Sequence, residues 1–192
     1  MPDGAFILAS ASPRRLDLLA QIGLTPSSIE PADINEDPIP GELPKAHAER
    51  LAAEKAAKVA QRHPGQVVLA ADTVVGVGRR ILPKTMERGE AEACLRLMSG
   101  RAHRVFTGVC VIDPDGLSRT RVSETRLKMK GLSERELSDY LDSGEWHGKA
   151  GGYGIQGRAG AFIPFLSGSY TGVVGLPVYE TTQMLRTAGV IA

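Results

Sequence analysis

Val67-Val68-Leu69-Ala70-Ala71-Asp72-Thr73-Val74-Val75-Gly76 is the stretch whose reading decides the fold. Its β-branched, almost wholly apolar character predicts a strand, buried at its start. Upstream, the Ala-rich segment from about Pro44 to Arg62 predicts a long helix. Ala5–Ala9 reads as a short buried strand, followed by Ser10-Ala11-Ser12-Pro13-Arg14-Arg15 and then by Leu16, Leu18, Leu19 and Ile22 at helical spacing. Ser12 suits the N-cap of that helix, Pro13 its first position, and Gly23 its end. The five prolines of residues 25–44 predict a short strand and a long loop. Downstream, Glu87–Met98 reads as a helix, and segments 103–113 and 118–129 alternate as a hairpin through Pro114-Asp115-Gly116. Ser133 and Glu136 form a capping box that opens a helix to about Asp142. Glycines crowd residues 148–160; one or two strands and a final helix, about Pro177 to Ala188, complete the chain. Strands alternating with helices, plus one antiparallel hairpin, imply an α/β fold with a mixed sheet.

Apolar residues make up 42% and charged residues 23% of the 192, enough for a core and against a disordered chain. The net charge of +1 leaves no broad basic surface, which argues against nucleic acid or an anionic membrane as partner. No apolar run approaches the roughly 20 residues that span a bilayer. The N-terminus, Met1-Pro2-Asp3-Gly4, carries an acid where a signal peptide carries bases, so a cytoplasmic chain is expected. Cys94 and Cys110 form no CxxC; they are expected reduced and packed, without a structural zinc. No repeat or linker divides residues 1–192, which read as one domain. Charge is nonetheless sorted along the chain. Between Leu16 and Pro44 there is no Lys or Arg, but there are Asp17, Glu30, Asp33, Glu36, Asp37 and Glu42. Between Arg79 and Arg104, seven bases stand against three acids. One segment could hold a cation and the other an anion; solvated faces are the alternative.

Chemistry concentrates in a few places. Ser10 to Arg15 joins a strand to a helix start, where free N–H groups and the dipole favour anions, and it adds two hydroxyls and two guanidiniums. Arginines there oppose the dipole, which points to a phosphate site rather than to a capped helix with exposed arginines. Asp72 lies inside an apolar strand, where a carboxylate is costly unless paired or metal-bound. It reads as a metal ligand or general base, or else as a strand-end Asp reaching solvent. By pattern alone, Lys55 in mid-helix and Lys84 in a turn after Pro83 are surface residues. Gly152-Tyr153-Gly154-Ile155-Gln156-Gly157 matches GxGxxG literally, but no buried strand precedes it and no acid lies between Arg158 and Tyr179, so it is not a dinucleotide fingerprint. Nor is Gly144–Ala150 a P-loop. The glycines suit close backbone approach, and Gln156 carries both a donor and an acceptor fit to read a base edge. His47, His63, His103 and His147 are scattered and read as surface or satisfied residues.

In order, Leu8-Ala-Ser-Ala-Ser-Pro-Arg-Arg15, Arg50-Leu-Ala-Ala-Glu-Lys-Ala56, Ala71-Asp-Thr-Val-Val75, Leu97-Met-Ser-Gly100, Val105-Phe-Thr-Gly108, Lys149-Ala-Gly-Gly-Tyr-Gly-Ile-Gln-Gly157 and Val174-Gly-Leu-Pro177 resemble the Maf family of nucleoside triphosphate pyrophosphatases. The resemblance implies an elongated, mixed, twisted α/β sheet flanked by helices. It implies two lobes about a deep cleft, as in ITPase-like folds, and commonly a homodimer. It further implies hydrolysis of a nucleoside triphosphate to the monophosphate and pyrophosphate with a divalent metal, Mg or Mn. Arg15, Thr73 and Gln156 match the specificity positions of the branch acting on dTTP and UTP; the sister branch prefers 7-methyl-GTP. Where family members read Gly-Lys-Pro, this chain has Pro83-Lys84-Thr85.

Under that resemblance Asp72 is the proton acceptor, and the buried-strand argument agrees. Glu36 is the candidate for a second carboxylate at the metal, since Mg²⁺ takes one or two carboxylates plus phosphate oxygens. Arg14, Arg15, Lys55 and Lys84, with the Ser10 and Ser12 hydroxyls, would hold the triphosphate. A non-catalytic nucleotide-binding regulator of septum formation is the rival from another class. A nucleic-acid module ranks last, because 5% aromatic residues supply few stacking platforms.

Overall fold

In the computed structural model, which describes residues 4–192, the decisive stretch forms the central strand of a mixed sheet. The acid-bearing N-terminus argument falls on residues 1–3, which lie outside the described residues. The elements are β1 (Phe6–Leu8), α1 (Pro13–Gln21), β2 (Ser28–Ile29), α2 (Pro44–Ala60), β3 (Val67–Val77), β4 (Arg80–Leu82), β5 (Lys84–Thr85), α3 (Arg88–Met98), β6 (Ala102–Ile112), β7 (Ser118–Lys128), α4 (Glu134–Asp142), β8 (Lys149–Ala150), β9 (Phe165–Ser167), α5 (Tyr170–Val174) and α6 (Val178–Thr187). A 3₁₀ turn at Arg158–Phe162 precedes β9. The sheet runs β2-β1-β3-β6-β7-β9, with β4 also on β3; β5 and β8 make a separate two-stranded ladder. β1 is parallel to both β2 and β3, whereas β6 and β7 are antiparallel to their neighbours.

Two expectations are corrected. Lys84 does not sit in a turn: Gly151 N–H reaches the Pro83 carbonyl and Gly148 N–H the Thr85 carbonyl, drawing residues 84–85 into a strand against 149–150. The short elements β4, α5 and the 3₁₀ turn have too few residues to display a period, so the sequence reading passed over them. Lys55 is not a surface residue either. Ala48, Ala52, Lys55, Ala56 and Val59 form one buried stripe of α2, and that stripe faces the sheet.

Along β3 the side chains alternate. Val68, Ala70, Asp72, Val74 and Gly76 face α2, where Ala52, Ala56 and Val59 pack with Ile7, Val68, Ala70 and Cys110. Leu69, Ala71 and Val75 face the larger core, built with Leu18 and Leu19 of α1, Leu95 and Met98 of α3, Leu137 of α4 and Leu185 of α6. α2 comes unusually close because Gly108, paired with Asp72 across the sheet, has no side chain. A Cβ there would lie 2.2 Å from the Ala48 carbonyl oxygen and 3.1 Å from the Ala52 Cβ.

That contact is testable. Gly108→Ala must push α2 off the sheet, and overpacking of this kind costs about 1–3 kcal/mol. A drop in melting temperature together with weakened activity is expected, because the same helix carries Lys55; an unchanged melting temperature would show that α2 has room to move.

Candidate active site

β1 pairs with β3 only as far as Leu69, and β4 joins the same edge only from Val75. Among the described residues, Ala70–Val74 therefore have no strand partner on that edge. A cleft of about 350 Å³ opens there, lined by residues of the Ser10–Arg15 segment, the loop after β2, α2, β3, β5, the glycine-rich segment and α5. Asp72 and Thr73 stand in this unpaired stretch, one on each face of the sheet.

On the α2 face the charges form a chain. Asp72, 2% exposed, takes a 2.6 Å bond at Oδ1 from Lys55 Nζ. The same ammonium lies 2.6 Å from Glu36 Oε1, and Glu36 Oε2 pairs with Lys84. Burial pulls the Glu36 carboxyl upward, but the hydrogen bonds from Lys55 and Lys84 outweigh it and hold it at about 2. The three glutamates of the acidic segment are stapled rather than solvated: besides Glu36, Glu30 pairs with Arg62 and His63, and Glu42 with His47 and Arg50. Among the described residues of the basic segment, Lys84 lines the cleft, while Arg88, Arg96 and Arg104 form surface pairs.

The Ser10–Arg15 segment wraps the unpaired edge. Ser12 stands at the N-cap of α1, but its hydroxyl makes no capping bond and the residue lines the cleft. Ser10 Oγ accepts from Arg15 at 2.8 Å and from the Ser12 N–H at 3.2 Å. Arg15 is buried rather than exposed, with Nε donating to the Gly175 carbonyl at 2.9 Å. Burial lowers its guanidinium from the usual value, while Asp72 opposes the shift. Arg14 reaches the Val174 carbonyl at 3.3 Å, and burial lowers it too.

The opposite face offers a different wall. Thr73, Val75 and Val105 meet Val173 and Val174 of α5, and Gln156 and Tyr153 come from the glycine-rich segment. Gly151 and Gly152 hold φ of +65° and +73°, which favours glycine, and they fold this segment against Val75 and Ala91. The β5–β8 ladder makes Lys84 and this segment one unit. Thr85, where the resemblance implies proline, is fully buried and donates its hydroxyl to the Trp146 carbonyl at 2.9 Å. The replacement thus adds a tie that proline cannot make.

The structure brings together Ser10, Ser12, Arg14, Arg15, Glu36, Lys55, Thr73, Lys84 and Gln156 around one cleft, with Asp72 reaching it through Lys55. Sequence reasoning passed over Tyr153 and Lys149, although both lie in the glycine-rich motif. Burial lowers the Lys149 ammonium, with Arg14 adding to the effect and Glu145 opposing it. Tyr153 is buried and pairs with His103 Nε2 at 2.7 Å, the rings meeting edge to face. Thr107, directly across from Thr73, was missed as well; its polar side chain in an apolar strand was the available signal.

Known proteins match this chain over nearly its whole length. The Maf family model, described as Maf-like protein, matches residues 5–188. A dTTP/UTP pyrophosphatase of Caulobacter vibrioides is 59% identical over 185 residues, covering 96% of each chain. One of Novosphingobium aromaticivorans is 57% identical, covering 95% of this chain and 91% of its own. A third, of Maricaulis maris, is 58% identical over 98% of this chain and 90% of its own.

Burial holds His103 at about 4, below its usual 6.5, so it is neutral beside Tyr153 at pH 7. A depressed folded value means that its contribution to stability is present above pH 6.5 and is lost as pH falls toward 4. That span corresponds to roughly 3 kcal/mol. Melting curves of the parent chain should therefore fall more steeply than those of His103→Gln between pH 7 and 4. Parallel curves would show that His103 does not titrate in this way.

Proposed function

The chain belongs to the Maf family, and from that premise we propose that it hydrolyses dTTP and UTP to the monophosphate and pyrophosphate. Residues 1–192 would act as one catalytic unit, in the cytoplasm, as a homodimer. One observation carries the reading: a buried carboxylate and two lysines line the unpaired edge of β3, beside an apolar wall that ends in Thr73 and Gln156.

Splitting the α–β anhydride needs an activated water, neutralised phosphate oxygens and a stabilised leaving group. Asp72 is assigned the water's proton; with Oδ1 held by Lys55, Oδ2 is the oxygen left to accept it. Lys55, Lys84, Arg14 and Arg15, with the Ser10 and Ser12 hydroxyls and the first turn of α1, would bind and orient the triphosphate. Glu36 now bridges Lys55 and Lys84, so entering phosphate oxygens exchange one anionic partner of these lysines for another.

The carboxylates also fit a divalent cation. Glu36 and Asp72 converge on one ammonium, a position that suits positive charge, and Mg²⁺ is usually held by one or two carboxylates plus phosphate oxygens. Bound there, Mg²⁺ or Mn²⁺ would neutralise charge on the substrate and the departing pyrophosphate. Thymine and uracil carry a carbonyl at ring position 4 where cytosine carries an amine, and the Gln156 amide can donate to that carbonyl.

Two outcomes test the reading. Asp72→Asn keeps the shape but cannot accept a proton as an anion, so kcat should fall about 10²–10⁴-fold with the fold intact. Retention of more than about a tenth of the activity would remove Asp72 from the mechanism. Wild-type protein should release pyrophosphate from dTTP and UTP faster than from CTP, with Gln156→Ala narrowing that preference. Tight nucleotide binding without turnover would favour a regulator, and faster cleavage of 7-methyl-GTP would overturn the base assignment.

A further inference from the structure

Thr73 and Thr107 face each other across β3 and β6. Thr107 is 1% exposed, and its Oγ1 lies 2.7 Å from the Gly172 carbonyl oxygen and 3.1 Å from Thr73 Oγ1. A hydroxyl has one proton to donate, and a carbonyl can only accept. The Thr107 proton therefore goes to Gly172. That carbonyl cannot easily turn away, because the Val173 N–H in the same peptide plane is held by the Ser169 carbonyl at 3.1 Å, and that carbonyl also accepts from the Thr125 hydroxyl. The contact between the two threonines is then closed by the Thr73 proton, which leaves Thr73 with lone pairs alone toward the cleft it lines.

We propose that Thr107 is a positioning residue that makes Thr73 an obligate hydrogen-bond acceptor, so that the cleft selects pyrimidines carrying N–H at ring position 3. This rests on the reading of the substrate as a nucleoside triphosphate, and it names the physical source of base choice within it. Uracil and thymine donate at that position. Cytosine presents a lone pair there, and two acceptors facing each other in a desolvated wall leave both unmet. Thr73 lies on the apolar face with Val75, Val105, Val173 and Val174, away from the charged chain of Asp72, Lys55 and Glu36, which suits contact with a base ring rather than with phosphate.

The experiment compares wild type, Thr107→Val, Thr107→Ser, Thr73→Val and the double valine variant. Binding of UMP and CMP is measured by calorimetry, and kcat/KM for UTP and CTP by pyrophosphate release. Thr107→Val removes the hydroxyl at nearly constant volume and frees the Thr73 proton, so the uracil preference should fall about three- to tenfold. Thr107→Ser restores the hydroxyl and should keep the preference within about twofold of wild type. The double variant should match Thr73→Val. A wild-type ratio in Thr107→Val, or a Ser variant as impaired as the Val variant, overturns the proposal. Should Thr107→Val fail to fold, Thr73→Val decides, because an unchanged preference there also overturns it. A wild type that binds UMP over CMP yet hydrolyses neither triphosphate overturns the hydrolase reading instead, while the binding ratios still decide the role of Thr107.

Discussion

A carboxylate in the middle of an apolar strand constrains everything around it. Asp72 is almost fully buried, and an unpaired charge in that position would be costly by several kcal/mol. Its partner must come from α2, since the neighbouring strand position is Gly108. Lys55 can reach only if the helix lies close on the sheet, and Gly108 permits that approach by presenting no Cβ to the Ala48 carbonyl. A buried lysine then draws a second acid, Glu36, and Glu36 draws Lys84 from β5. A single choice of residue at position 72 thus ties together the loop after β2, helix α2, strand β3 and the β5–β8 ladder.

The cleft owes its two characters to the strand that separates them. Because β3 loses its neighbour between Leu69 and Val75, a ligand can pass around a bare strand edge and touch both faces of the sheet. Alternation along the strand places Asp72 among charges and Thr73 among valines one residue later. Phosphates and a pyrimidine ring make opposite demands on their surroundings, and under the proposed function the two faces would meet those demands separately. Under that proposal, the ion-pair chain also fixes Lys55 in a buried position before any nucleotide arrives, which lowers the ordering cost of binding.

Much of this was legible in the chain itself. The long strand, the hairpin, helices α3 and α4 and the α/β class follow from periods of 2 and 3.6 and from the Ser133–Glu136 capping box. Asp72 announced itself as a charge in an apolar run. Lys55 did not, because its burial depends on the Ala48, Ala52, Ala56 stripe meeting a sheet that no local pattern reveals, and the resemblance to the Maf family was needed to single it out. Lys84 was assigned to a turn because Pro83 precedes it, whereas its pairing with Ala150 is a contact over a long sequence separation. Thr107 and the His103–Tyr153 pair were hidden for the same reason: their meaning lies in partners on other strands and loops.

Phosphorus NMR of UTP incubated with the chain and Mg²⁺ reads directly which anhydride opens at the Asp72–Lys55 edge. UMP and pyrophosphate should appear together as first products, and the Asp72→Asn chain should leave UTP intact over the same interval. UDP and orthophosphate as first products would contradict the assignment of this cleft to α–β cleavage.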